Sequence, residues 1–208
     1  MDLDKRIETV KQNSGSSIKK YGKWVLLAIV GLWAWSGYNG LVKAEEPIAN
    51  AWGNVETEYQ ARVDKVAVIS KIVKNAANFE QQTLTDVIEA RSKATSINLD
   101  VNDLTPENMA KFQQAQQGLS GALNKLMVVS ERYPDLKASQ QFIGLQSQLE
   151  GTENRINVER NRFNNMVISY NTMIRKFPKN ITANMFSFEK MEYFKADPAA
   201  SKAPEVKF

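Results

Sequence analysis

From Trp24 to Val42 the chain reads WVLLAIVGLWAWSGYNGLV, with no charged side chain. A helix needs about 20 apolar residues to cross the hydrocarbon core of a bilayer. Apolar residues lie all round this one, which suits lipid and not a surface helix with one buried face. Trp24, Trp33, Trp35 and Tyr38 stand toward its ends, where amphipathic rings favour the interface. The pattern predicts a membrane anchor over residues 24–42. A cleaved signal peptide fits less well, because its leader and apolar region are shorter. A buried core helix would have one face to hide, and this stretch has none to spare.

Beyond Lys43 the pattern changes to charged segments with apolar residues at steps of three and four, and no alternation of period two. One row runs Ile48, Trp52, Val55, Tyr59, Arg62, Val66, Ile69, Val73, Ala76, with steps that alternate between four and three. That is a coiled-coil seam, and Arg62 is its one charged member. The row can be continued through Ala77, Leu84, Val87, Ala90, Ala94 and Ile97, and no Gly or Pro interrupts residues 54–105. One helix as far as Ile97, bent near Asn75–Asn78, is the expectation. Pro47, Pro106, Pro134 and Pro178 are the breakers.

Residues 100–105 read as a connection, and Thr105-Pro106-Glu107 as a helix start, with Thr as N-cap and Pro at the first position. That helix carries Phe112, Leu119, Leu123 and Leu126 and is expected to end at Arg132, before Tyr133-Pro134. A last helix is expected over residues 135–177. Its main row is Phe142, Leu149, Ile156, Phe163, Tyr170, Phe177, a strict heptad repeat. Its partner row, Leu145, Thr152, Glu159, Met166, Met173, turns polar in the middle. Phe186, Phe188, Tyr193 and Phe194 are expected to pack as a short cap on the bundle, ahead of a seat at the membrane interface. A Pro/Ala-rich tail follows. The fold predicted is all-α: a transmembrane helix, then an elongated antiparallel helical bundle with long coiled-coil-like seams. Its segments are 1–23, 24–42, 43–178 and 179–208.

Charge sets the orientation. Residues 1–23 hold six Lys and Arg against three Asp and Glu, and Lys19, Lys20 and Lys23 directly precede the apolar stretch. The excess of basic residues keeps this end in the cytoplasm and predicts export of the C-terminal part across a bacterial inner membrane. The whole chain has 27 basic and 23 acidic residues, so the remainder is nearly neutral. No nucleic-acid partner is expected of it. Its 208 residues include no Cys and no His. That excludes disulfides, thiol nucleophiles, Cys/His zinc sites and imidazole bases.

The candidate site is the polar midsection of the last helix, Glu150, Thr152, Glu153, Asn154, Arg155 and Glu159, together with Arg62. An up-down bundle puts Arg62 level with about residues 153–162, so an ion pair with Glu159 or Glu153 is expected. The group is assigned as a layer that fixes helix register, since a lone polar group in a seam does this at some cost in stability. A bundle di-iron site needs Glu-x-x-His, which a chain without His lacks. An oxygen-only metal site has no supporting ligand spacing. A carboxylate glycosidase needs a sugar-sized cleft that a bundle seam does not offer. No catalytic residue, cofactor or metal is therefore assigned. Gln113, Gln114, Gln116 and Gln117 read as a solvated face or a subunit contact. Gly31, Ala34 and Gly37 give the anchor a face of small residues for packing against another helix.

Several strings recur in a familiar order. They are Tyr38-Asn39-Gly40-Leu41-Val42, Ala51-Trp52, Tyr133-Pro134-Asp135-Leu136, Tyr170-Asn171 and, most specific, LQSQLEGTENRI from Leu145 to Ile156. Together they closely resemble the LemA family over residues 38–208. The resemblance implies a bacterial envelope protein with one N-terminal membrane helix and an antiparallel helical bundle, and no established activity. The chain departs from that pattern at Asp64–Ser70, where the family's Pro and Asn are absent, and at Phe79, where a His is common. Loss of that Pro favours a straighter first helix. The expected function is non-enzymatic, a self-assembling scaffold that organises or remodels membrane. The alternative is an adaptor for another envelope protein, such as a membrane protease or wall enzyme. The expected partners are the lipid bilayer, further copies of the chain and, for the adaptor, that second membrane protein.

Overall fold

The computed structural model describes residues 3–76 and 79–195, with side chains from Tyr21 onward except that of residue 102. Six α-helices follow in order: α1 Leu3–Lys74, α2 Gln81–Ser96, α3 Pro106–Ser130, the single turn α4 Pro134–Lys137, α5 Gln140–Met173 and α6 Lys179–Met185. No strand occurs among the described residues. They fall into two units. Among the described residues, one holds 3–44 with 173–189, the other 45–76, 79–172 and 190–195.

The larger unit is an antiparallel four-helix arrangement, and its cross-helix bonds give the directions. Trp52 Nε1 donates to the Leu99 carbonyl at 2.8 Å and Arg91 Nε to the Val63 carbonyl at 3.1 Å, so α2 runs against α1. Lys125 bonds Asp86 and Arg132 bonds Glu80, so α3 runs against α2. Tyr170 donates to Glu45 at 2.8 Å, and Arg155 pairs with Glu58 at 2.9 Å, so α5 runs against α1. Burial, with the bond to Glu45, holds the Tyr170 hydroxyl well above its ordinary titration range.

The seam of α1 is buried as its spacing requires. Ile48, Val55, Val66, Ile69 and Val73 are fully covered, and so are Trp52, Tyr59 and Arg62 to within a few per cent. Toward the α1–α2 turn the core is aliphatic, with Val66, Ile69, Val73, Val87, Leu119 and Leu126 in one cluster. At the other end it is aromatic. The Trp52 ring meets Phe112, Phe163 and Phe194 with centroids 5.4 to 5.9 Å apart.

Four expectations are corrected. The first helix does not continue to Ile97: α1 ends at Lys74 and the chain turns back into α2. The apolar row continues in phase because both helices face the same core, and periodicity alone does not register the reversal. Phe79 and Tyr133 pack together at 4.8 Å beside that turn. Pro47 does not break α1, which runs through it. The lost backbone bond costs about 3 kcal/mol in a free helix, and full burial of Leu41 and Ile48 on either side offsets it. The last helix stops at Met173, so Phe177 leaves the heptad row and is 79% exposed. The C-terminal aromatics form no single cap. Phe194 lies in the bundle core, Tyr193 is exposed, and Phe186 and Phe188 pack on Tyr38 in the smaller unit. Ala77, Asn78 and the tail over 196–208 lie outside the described residues.

What replaces the cap is a strap. Asn171 donates Nδ2 to the Met191 carbonyl at 2.9 Å and accepts the Met191 N–H at 3.0 Å. Asn164 treats Phe194 the same way, at 3.0 and 2.9 Å. Seven helical residues rise about 10.5 Å and three extended residues span about 10 Å, so the two spacings match. The strap runs against α5 and delivers the Phe194 ring to the aromatic core.

Each rung needs a side chain that donates and accepts at once. Asn171→Asp keeps the size and loses the donor, which leaves a carboxylate facing a carbonyl. It is expected to cost about 1–3 kcal/mol and to open residues 190–195 to limited proteolysis. An unchanged denaturation midpoint and cleavage pattern would contradict the strap.

Candidate functional site

Arg62 is fixed by the α1 seam and is 3% exposed. A buried guanidinium must bond with nearly all of its donors or forfeit several kcal/mol. Its Nη1 donates to Glu153 Oε2 at 2.9 Å and to Ser120 Oγ at 2.8 Å. Its Nη2 donates to Gln116 Oε1 at 2.5 Å and to the Gln116 carbonyl at 3.2 Å. Nε is buried without a partner. The Tyr59 ring lies 5.0 Å from the guanidinium carbon, a cation–π distance. Burial pushes the Tyr59 hydroxyl above its ordinary range, against the pull of Arg160 and Arg62. The layer thus joins α1, α3 and α5 between the aliphatic and the aromatic parts of the core.

The midsection residues divide. Glu153 meets Arg62, while Glu159 pairs instead with Arg162 on its own helix at 3.0 Å. Thr152 is fully buried. It donates to the Gln148 carbonyl at 2.8 Å and accepts from Arg155 Nη2 at 3.0 Å. Arg155 in turn reaches Glu58. Glu150 and Asn154 are exposed, and Glu150 accepts from Gln146 one turn away. Two clusters therefore stand where one was expected.

The sequence reading missed Gln116 and Ser120. Gln116 is not on a solvated face. It is 5% exposed and takes two bonds from Arg62. The signal was available, since Phe112, Gln116, Leu119, Leu123 and Leu126 step by four and three. A polar residue in that row is the α3 counterpart of Arg62 in α1.

Over this layer lies a groove of about 630 Å³ between α3 and α5. Asn157, Arg160, Asn161 and Asn164 line one wall, and Gln113 and Gln117 line the other. Arg160 lies over the Phe194 ring at 4.6 Å. The lining presents amides and guanidinium groups, suited to carbonyl, carboxylate or phosphate oxygens. Of the midsection carboxylates only Glu153 is among its lining, and Arg62 already engages it. The carboxylate pair of a glycosidase is thus not assembled in this groove. Among the described residues no group of three or more Asp and Glu is placed to hold a metal ion.

The anchor residues are placed as follows. Trp24 and Trp35 are about two-thirds exposed, Trp33 and Tyr38 less so, and all lie on α1. Gly31 has open space beside it. Gly37 does not: a Cβ there would lie 2.7 Å from Thr182 Oγ1. That part of the small-residue face is taken by α6 of the same chain.

A family model described as LemA family matches residues 51–208. The chain is similar to Protein LemA of Metamycoplasma hominis, 26% identical over 159 residues, which cover 76% of this chain and 68% of that protein. It is also similar to Magnetosome protein MamQ of Magnetospirillum gryphiswaldense, 33% identical over 85 residues, and to Magnetosome protein MamQ 2 of Paramagnetospirillum magneticum, 34% identical over 85. These matches cover 41% of this chain and 31% of either relative, so the chain matches about a third of their length.

The Arg62 layer makes opposite predictions for one and two substitutions. Gln116→Leu removes two bonds of the buried guanidinium and is expected to cost about 1–3 kcal/mol. Arg62→Met with Gln116→Leu removes charge and acceptor together. It is expected to be neutral or stabilising by about 1–4 kcal/mol. Chemical denaturation followed by circular dichroism reads both. A double variant weaker than Gln116→Leu alone would sink the account.

Proposed function

The chain belongs to the LemA family, and on that footing we propose that it is a non-enzymatic, single-pass envelope protein whose exported bundle assembles into a scaffold that organises membrane. The anchor reading rests on the surface of α1. This helix is long and apolar enough to cross a membrane, and Trp24, Leu26, Ile29, Leu32 and Trp35 all stand more than half exposed. A soluble core helix would have covered them. The basic residues before Trp24 support an N-terminus in the cytoplasm at a bacterial inner membrane.

The observation that carries the non-enzymatic reading is the Arg62 layer. Its charged groups are spent on one another, and the carboxylate nearest the groove is paired. Such a layer sets helix register and orientation. A second reading, an adaptor for another envelope protein, is favoured by the groove beside it, whose Asn and Gln wall has the chemistry to hold polypeptide backbone. Asn164 and Asn171 already do this to the chain's own strap. The relatives named as magnetosome proteins fit a membrane-organising role for this chain.

Light scattering in mild detergent separates the two. The scaffold predicts a large, discrete assembly for the full chain and a smaller mass for residues 44–208. Monomers in both forms would overturn self-assembly and favour the adaptor, for which cross-linking in the native membrane would seek the partner.

A further inference from the structure

The smaller unit holds an apolar surface that neither the bundle nor the anchor accounts for. Phe177 is 79% exposed, Ile181 47%, Met185 54% and Phe186 45%. Ile181 and Met185 stand one turn apart on α6 and share one side, and Phe177 lies in the turn just before that helix. The adjoining side, Thr182 and Ala183, is buried. Thr182 packs directly on Gly37 of α1, and its hydroxyl finds no hydrogen-bond partner. The contact is close packing, as between membrane helices at small residues. Tyr38 adds edge contacts to Phe186 at 5.0 Å and to Phe188 at 5.7 Å. Ser187, at φ 57°, takes the left-handed conformation that ends α6, and the Phe188 N–H returns to the Ala183 carbonyl at 2.9 Å. That turn sets both Phe rings against Tyr38.

The level of this contact decides what faces the exposed side. Gly37 lies five residues inside the apolar stretch that ends at Val42, which on a helix is about 7.5 Å below its end. An element packed on Gly37 is therefore at the depth of the bilayer interface. Arg175, Lys176 and Lys179 stand beside the apolar residues, and Glu189 is the one acid in residues 173–189. Apolar side chains with neighbouring cations are the composition of a segment lying in the headgroup zone, its apolar face about 5–10 Å deep.

We infer that α6 and the turn before it form a second membrane contact: Phe177, Ile181 and Met185 enter the upper acyl region of the leaflet where the anchor emerges, and Arg175, Lys176 and Lys179 meet lipid phosphates. The inference rests on α1 crossing a membrane and adds a seat for a segment 140 residues later in the chain. It also gives the exposed Phe177 an environment.

The chain has no Cys, so single labels can be placed. Phe177→Cys, Ile181→Cys, Met185→Cys and Val30→Cys would each carry a nitroxide, in the full chain reconstituted into vesicles of phosphatidylethanolamine and phosphatidylglycerol. Broadening by oxygen, which concentrates in lipid, is compared with broadening by a water-soluble nickel chelate. Val30 is expected to report the bilayer centre. Positions 177, 181 and 185 are expected to favour oxygen over the chelate several-fold, at a shallower depth than Val30. A deep Val30 label with three chelate-accessible labels would overturn this inference and leave the anchor standing. A chelate-accessible Val30 would overturn the anchor and this inference with it. Gly37→Leu should expel Thr182 and shift labels 181 and 185 toward the chelate, with the Val30 reading unchanged.

Discussion

A guanidinium in a helix seam has five donors and nowhere to put them except other helices. Arg62 distributes four bonds over Gln116, Ser120 and Glu153. Each of those residues is tied to one turn of its own helix. Sliding α3 or α5 by a turn would move a partner by about 5.4 Å and leave the charge bare. The aliphatic layers on one side of Arg62 would tolerate such a slide, since one aliphatic contact resembles the next. The register of α1, α3 and α5 therefore depends on this layer. The aliphatic and aromatic cores supply most of the burial, and the layer decides which burial pattern is used.

The aromatic end depends on a second device of the same kind. Its core is completed by Phe194, which arrives from outside the helices on a strap. The strap has no helix or sheet to satisfy its backbone, so Asn164 and Asn171 do so. A hydrophobic contact between Trp52, Phe163 and Phe194 thus rests on two side-chain amides one heptad apart.

The helices were legible because apolar steps of three and four persist over long stretches, and Thr105-Pro106 marked a start that the structure keeps: the Thr105 hydroxyl accepts the Asn108 N–H at 3.2 Å. The meeting of Arg62 with the last helix was legible because an antiparallel pair fixes levels by counting residues. The reversal after Lys74 was not, because it needs neither Gly nor Pro and leaves the apolar row in phase. The strap was missed because Asn at 164 and 171 looks like ordinary helix surface until an extended segment lies across it. Gln116 was legible in principle and was hidden among three other Gln residues. The use of Gly37 inside the chain was not legible. A small-residue face in an anchor says that something approaches closely, and says nothing of whether it comes from a neighbour or from a part of the same chain made much later.

That last contact has a consequence for the order of assembly. A chain emerges from the ribosome N-terminus first, so under the proposed anchor Gly37 enters the membrane long before Thr182 exists. Under the same anchor the intervening residues are made while one end is already held in lipid. Only when α6 is made can it return to the anchor and close over Gly37. The anchor is then more than a tether. As the proposed anchor, it is a template that waits at the bilayer for α6, and closure over Gly37 is an event that takes place at a membrane.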